Sequence, residues 1–98
     1  MKRRNAESIG EIIAGFMQQE HADELSRQLR ASAMWPQVVG QGVNRYTSRR
    51  WVKDGILHVN IASASLRNEL IMSRTAILRA INDLVPGDAP ALKDIVIH

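Results

Sequence analysis

The sequence contains no cysteine, and only four of its 98 residues are aromatic. The lack of cysteine excludes a disulfide framework and any zinc or iron-sulfur site built on thiolates. It also fits a reducing compartment, and we expect a cytoplasmic protein. No apolar run approaches the roughly 20 residues that a membrane helix needs. Polar residues interrupt the segment after the charged start, so neither a membrane partner nor a signal peptide is predicted.

Motifs for catalysis are also missing. The three histidines, His21, His58 and His98, follow no spacing typical of a metal site or of a nucleophile with its base. No Walker A, HExxH, GxSxG or EF-hand pattern occurs. Gly40 and Gly42 resemble part of a phosphate-binding loop, but Arg45 stands where the third glycine belongs, so we interpret the segment as a helix stop. We expect a non-enzymatic protein with no metal, cofactor or small-molecule substrate.

Charge is distributed unevenly along the chain, although the net charge is only +3. Residues 5–24 carry five acidic side chains and no basic one, and residues 25–53 carry six basic side chains and no acidic one. Ten of the thirteen basic residues are arginine. Arginine binds phosphate through a planar fork and stacks on bases, so the basic block favours a polyanionic partner. A solvated basic surface is the alternative interpretation.

Length and apolar content predict one small folded domain over residues 1–98, with residues 1–7 as a flexible basic tip. Ser8 and Glu11 have capping-box spacing and precede an apolar stripe, which predicts a first helix. A second helix is predicted to run to about Ala33. Pro36 then interrupts the chain, and a short helical turn ending at Gly40 is expected to follow.

Residues 43–52 and 56–62 are predicted to form a hairpin around Asp54 and Gly55. A two-residue turn pairs Val52 with Leu57 and places one row of side chains on the open face beside His58 and Asn60: Arg45, Thr47, Arg49 and Trp51. A three-residue bulged loop would instead open the other row: Tyr46, Ser48 and Arg50. We prefer the two-residue turn because it buries Tyr46 and Val52 with the apolar row.

Ser63 or Ser65 is expected to cap one long core helix that ends at Val85 and Pro86. Residues 92–98 are predicted as a third strand, reached by this helical crossover. The sequence therefore predicts an α+β fold with N-terminal helices, an antiparallel hairpin, a long core helix and a third strand in one small sheet.

Five landmarks occur in order along the chain: Trp-Pro-Gln-Val-Val-Gly at 35–40, Arg-Tyr-Thr at 45–47, Gly-Ile-Leu-His-Val at 55–59, Ser-Leu-Arg-Asn-Glu-Leu at 65–70 and Ile-Asn at 81–82. Together they resemble the DciA family of bacterial proteins over residues 8–97. The Leu-Arg-Asn-Glu-Leu version is similar to the short form found in Bacteroides-like bacteria.

The resemblance implies a KH-like domain that binds the replicative DNA helicase and helps to load it on single-stranded DNA. Two features differ from what the resemblance suggests. Longer relatives continue beyond the third strand, where this chain ends at His98, and the GxxG loop with which KH domains clamp a strand does not occur.

Nucleic-acid contacts are therefore expected on the arginine-bearing strands. The predicted phosphate-binding residues are basic side chains of the hairpin region, extended by two arginines of the long helix: Arg45, Arg49, Arg50 and Lys53, with Arg67 and Arg74. Trp51 or Tyr46 is predicted to stack on a base. The alternative for Trp51 is a structural role as a partly buried cover over a sheet edge.

Two other functions stay open from the sequence. One is an RNA-binding KH-like protein, since nothing in the residues distinguishes DNA from RNA. The other is a protein-protein interaction module without nucleic-acid affinity, whose basic strand meets an acidic protein surface. The acidic segment of residues 7–24 is a candidate contact for a protein partner, with a solvated helix face as the alternative.

Overall fold

A computed structural model describes residues 20–98 of the chain. The predicted first helix, its capping box and the basic tip lie outside this part. Four helices and three strands follow in order: α1 (Glu20–Ala33), α2 (Trp35–Arg45), β1 (Thr47–Lys53), β2 (Ile56–Ile61), α3 (Ala64–Met72), α4 (Arg74–Asp83) and β3 (Asp94–Ile97). The fold is α+β, as predicted, and the second predicted helix ends at Ala33 as expected.

The three strands form one mixed sheet in the order β1-β2-β3. β1 and β2 are antiparallel neighbours joined by a tight turn, whereas β2 and β3 are parallel. A parallel pair needs a long crossover, and the helical segment of α3 and α4 provides it. The hairpin and the third strand are therefore confirmed, while the KH-like arrangement stays a prediction.

The hydrophobic core lies on one face of this sheet. Buried side chains of the strands, such as Leu57, Val59 and Ile95, belong to the same cluster as buried side chains of the helices, such as Trp35 and Ile81. Alternate residues of β2 are buried and half-buried, which is the pattern of a strand with one covered face. The helices described here therefore cover a single face of the sheet.

The prediction that the first strand begins at residue 43 is wrong. Gly40 leaves the helical conformation with φ +89°, as expected of a helix stop, but the chain re-enters a helix that ends at Arg45. Glycine adopts this positive φ without steric strain, so it introduces a kink and not an end. Val43 packs against the core from the resumed helix, and the strand begins only at Thr47.

The prediction of a single long core helix is also wrong in detail, because Ser73 separates α3 from α4. Ser73 has φ −100° and ψ 9°, and its N–H donates to the carbonyls of Glu69 and Leu70. Ser63 is the N-cap of α3, and its hydroxyl accepts from the N–H of Leu66 at 3.3 Å. The cap was readable from the sequence, whereas the break falls inside a continuous helical pattern.

Two side chains hold the loop between α4 and β3. Asn82 Nδ2 donates to the carbonyl of Leu92 at 3.1 Å, and Asn82 Oδ1 accepts from the N–H of Leu92 at 2.9 Å. Arg27 of α1 donates to the carbonyls of Pro86 and Ala89. These bonds fix the entry into β3 and so the register of the third strand.

Candidate nucleic-acid interface

The turn between β1 and β2 sets which side chains share a face. Asp54 and Gly55 have φ values of +54° and +80°, the pattern of a two-residue type I′ turn. Val52 then lies opposite Leu57, and Trp51 lies opposite His58. The preferred register of the sequence analysis is therefore confirmed, and Trp51 and Arg49 point away from the core.

A bulge near the start of β1 changes the faces of the residues before it. The register shifts between Thr47 and Arg49, so that Thr47 lies opposite Ile61 of the core row. Two expectations are therefore wrong. Thr47 faces the core and not the open face, and Tyr46 is 49% exposed instead of buried. Local alternation does not reveal an extra residue in a strand, which is why the sequence missed this shift.

The sheet face opposite the core carries three basic or aromatic side chains of β1 and six side chains of its neighbours. We call this set the open face: Arg49, Trp51, Lys53, Ile56, His58, Asn60, Asp94, Val96 and His98. Among residues 20–98, the buried apolar side chains of the helices all belong to the core on the other side of the sheet. Trp51, His58 and Asn60 are half-buried, and Arg49, Lys53 and His98 are exposed.

Three aromatic rings cluster at the centre of the open face. The Trp51 and His58 ring centroids lie 5.0 Å apart with planes 5° from parallel, and His98 lies 5.5 Å from Trp51 and 5.3 Å from His58. Nδ1 of His58 and Nε2 of His98 share a hydrogen bond of 3.0 Å. This bond brings the two imidazoles together edge to edge, with the indole packed beside both.

Arg49 completes the cluster by a cation-π contact with the indole. Its guanidinium carbon lies 4.5 Å from the Trp51 ring centroid, well within the distance at which such contacts are attractive. The indole is thus flanked by a guanidinium and by imidazoles. A nucleobase can stack on the planar guanidinium itself, or on the indole after Arg49 swings toward a phosphate.

Two of the predicted phosphate-binding arginines lie away from the open face. Arg50 lies opposite Val59 on the other side of the strand, where its Nε donates to Ser32 Oγ of α1 at 3.1 Å. Arg45 is exposed at the C-terminal end of α2 and not on a strand. Only Arg49, Trp51 and Lys53 of the predicted hairpin site are brought together.

The two helix arginines contact different parts of the sheet. Arg67 Nη2 donates to the carbonyl of Ile61 at 2.9 Å, so this side chain joins α3 to the end of β2. Its Nε is buried and has no hydrogen-bond partner among residues 20–98. Arg74 follows the break at Ser73 and lies 3.7 Å from the carboxylate of Asp94. The helix predicted to carry both arginines is therefore divided, and their role as nucleic-acid contacts stays a prediction.

The two imidazoles were missed as members of the site. The sequence pattern places His58 on the open face without a role, and it gives His98 no contact with that face. The backbone of His98 continues the parallel ladder, since its N–H donates to Val59 and its carbonyl accepts from Ile61. The alternation of β2 could have indicated His58, but only the strand pairing places His98 beside it.

The open face has the chemistry of an anion-binding surface with an aromatic centre. Within residues 20–98, neither imidazole forms an ion pair with a carboxylate, and the ion pair that is present joins Arg74 to Asp94. The same part of the chain contains no group of three or more histidine, aspartate or glutamate side chains that could hold a metal ion. In the part that the structure describes, no helix is long and apolar enough to span a bilayer.

These features define a small α+β protein with a helix-covered face and a cationic, aromatic open face on its sheet. The model of the family described as "Dna(CI) antecedent, DciA" matches residues 8–97, so the chain belongs to the DciA family. This family is associated with loading of the replicative DNA helicase and is not known as an enzyme family. A search of curated proteins found no match.

Proposed function

We propose that this protein is a non-enzymatic adaptor that binds the replicative DNA helicase and assists its loading on single-stranded DNA. Membership of the DciA family supports the helicase partner. One observation supports the nucleic-acid part: Arg49, Trp51 and Lys53 lie with two imidazoles on the sheet face that the described helices leave open.

The open face suits an unpaired strand because it joins cations to rings. Proteins that bind single strands without strong sequence preference combine a basic surface for the backbone with aromatic side chains for the bases. Arg49 and Lys53 lie in one row and are four residues apart, about 13 Å along the strand. Trp51 lies between them, so phosphates at both cations place the intervening base near the indole.

Binding of fluorescently labelled oligo-dT to the full chain, followed by anisotropy at several salt concentrations, tests the nucleic-acid part. We expect affinity that falls steeply with salt, since a single-strand phosphate contact contributes a slope of about −0.7 in log K against log salt. Arg49→Gln plus Lys53→Gln should weaken binding and make this slope shallower by about 1.4, for two lost contacts. Trp51→Ala should weaken binding by about 1 to 3 kcal/mol, the usual value of one base stack.

The chain offers a matched control one residue from Arg49. Arg50→Gln removes the same charge from the same strand but on the face that meets Ser32. Arg79→Gln removes a charge from the exposed side of α4. Both controls should leave the salt slope near that of the wild type. Equal losses from Arg49→Gln and Arg50→Gln would show that net charge, and not the open face, determines binding.

Two further outcomes decide between this proposal and its alternatives. Competition with unlabelled oligo-U of the same length shows whether RNA is preferred, and tight RNA binding with weak DNA binding would contradict the DNA assignment. No binding to either polymer at low salt would contradict nucleic-acid recognition and leave a protein-protein module.

Binding to the helicase needs its own measurement, because the proposal of this partner rests on the family match and not on the open face. The full chain, immobilised, should capture the purified replicative helicase of the same organism, with the affinity unchanged in Arg49→Gln plus Lys53→Gln. That variant should then fail to stimulate loading of the helicase on single-stranded DNA. Absence of a complex with the helicase would contradict the adaptor role whatever the oligonucleotide result.

A further inference from the structure

The two imidazoles of the open face form a contact that depends on their protonation. A hydrogen bond between Nδ1 of His58 and Nε2 of His98 requires one nitrogen to donate and the other to accept. An imidazolium carries N–H on both nitrogens, so two protonated rings cannot keep this bond. At 3.0 Å they would instead present two N–H groups to each other and turn apart.

We propose that His58 and His98 are phosphate-binding residues of the open face that act when both rings are protonated. This inference rests on the nucleic-acid function proposed above. When the bond between the rings opens, each imidazolium has an N–H free to donate to a phosphate oxygen. Such charge-assisted bonds are about twice as strong as neutral ones, so a phosphate ligand favours proton uptake by the pair.

The groups around His58 and His98 determine how a protonated pair is accommodated on the open face. Trp51 packs beside both rings, and an indole attracts a cation in that position. Arg49 and Lys53, the other cations of the open face, repel a protonated pair, and a bound phosphate offsets that repulsion. Of the remaining members of the open face, Ile56, Asn60 and Val96 carry no charge, and Asp94 is a carboxylate.

Carboxylates do not neutralise the pair within the described part of the chain. Asp94 begins β3 on the row that leads to Val96, but its Oδ1 accepts from the N–H of Ile95 at 2.7 Å and lies 3.7 Å from Arg74. Asp54 lies in the turn at the far end of the hairpin. Among residues 20–98, therefore, no side-chain carboxylate is paired with the two imidazoles, and a ligand phosphate can take that place.

The sign of the effect follows from this arrangement. Protonation adds positive charge where the phosphate binds, so affinity is highest at acidic pH and declines as the pair loses protons. Between about pH 8 and about pH 5.5, a range in which histidine changes charge, the affinity for oligo-dT should rise by about tenfold. The salt slope should steepen over the same range, because more cationic contacts are made.

Anisotropy titrations of the full chain with oligo-dT across this pH range, at constant ionic strength, test the inference. His58→Gln plus His98→Gln should remove most of the pH dependence of oligo-dT affinity, and each single substitution should remove part of it. His21→Gln, which removes the third histidine of the chain, should behave as the wild type does. Affinity that is independent of pH, or equal pH dependence in all of these variants, would overturn the inference while leaving the proposed function intact.

A second measurement separates this inference from the nucleic-acid function. Nitrogen NMR of the imidazoles in the free protein should show one hydrogen-bonded ring pair at high pH that is lost on acidification. Added inorganic phosphate should shift the His58 and His98 resonances at acidic pH and not at alkaline pH. Failure of oligo-dT to bind at any pH, together with these phosphate-dependent shifts, would contradict the proposed function alone. Rings that titrate independently and ignore phosphate would overturn the inference.

Discussion

The indole Nε1 of Trp35 donates a hydrogen bond of 3.0 Å to Oγ1 of Thr47, across the junction between α2 and β1. Thr47 Oγ1 in turn donates to the carbonyl of Val43 at 3.1 Å. Trp35 is fully buried, so its N–H has no water to replace this acceptor. The pair therefore joins the helix layer to the sheet at the position where the bulge turns Thr47 inward.

Thr47→Val should lower the free energy of unfolding by about 1 to 3 kcal/mol, because it keeps the shape of the side chain but leaves the buried indole N–H without an acceptor. Urea denaturation followed by the far-UV circular dichroism signal measures this change. Thr75→Val, at an exposed position of α4, is the matched control and should be nearly neutral. Equal stability of the two variants would mean that Thr47 does not hold the indole in solution.

Asn82→Ala should destabilise the protein by about 1 to 3 kcal/mol, since it removes both hydrogen bonds to the backbone of Leu92. The loss should be concentrated at the entry to β3, where hydrogen exchange of the amides of residues 92–95 should accelerate before that of β2. Asn68→Ala on the exposed side of α3 should be neutral or slightly stabilising. Uniform acceleration across the sheet would contradict a local role for Asn82.

Gly55→Ala should be destabilising by about 1 to 2 kcal/mol, because its φ of +80° is unfavourable for a residue with a Cβ. The added Cβ would also lie 3.2 to 3.3 Å from the side chain of Lys93. Asp54→Asn should leave stability unchanged, since asparagine adopts the positive φ of this turn readily. A thermal melt compares the two variants, and an unperturbed Gly55→Ala protein would show that the turn is not type I′.

Arg67→Met should reduce stability and leave oligo-dT binding unchanged, because Arg67 serves the carbonyl of Ile61 and not the open face. The expected loss is about 1 to 3 kcal/mol for the unpaired carbonyl, measured by urea denaturation. Arg74→Gln should change stability by less than about 1 kcal/mol, as its ion pair with Asp94 is half-exposed. If Arg67→Met is as stable as the wild type but shows a shallower dependence of oligo-dT affinity on salt, Arg67 contacts the nucleic acid.

Several elements were predictable because their causes are local in the sequence. Asp54 and Gly55 form a type I′ turn between alternating strands, so both the hairpin and its register followed from adjacent residues. Ser63 caps α3 through a residue three positions away. The landmarks quoted for the DciA family also lie in short segments, and the family match over residues 8–97 confirmed what they indicated.

The errors share a different cause, which is that packing chose between two locally acceptable conformations. Gly40 permits either a stop or a kink, and burial of helical side chains against the core favoured the kink. The helical pattern through Ser73 is continuous, yet the chain breaks there and buries both Leu70 and Ile81. The bulge that turns Thr47 inward depends on Trp35, twelve residues earlier.

In the candidate site, too, some positions follow from the local sequence and others only from the tertiary structure. Strand alternation and the two-residue turn were sufficient to place Arg49 and Trp51 on one open strand face, because each follows from neighbours along the chain. The inward position of Thr47, the hydrogen bond of Arg67 to the carbonyl of Ile61 and the position of His98 beside His58 required the assembled fold. His58 and His98 are forty residues apart, and only the parallel pairing of β2 with β3 brings their ring nitrogens to 3.0 Å.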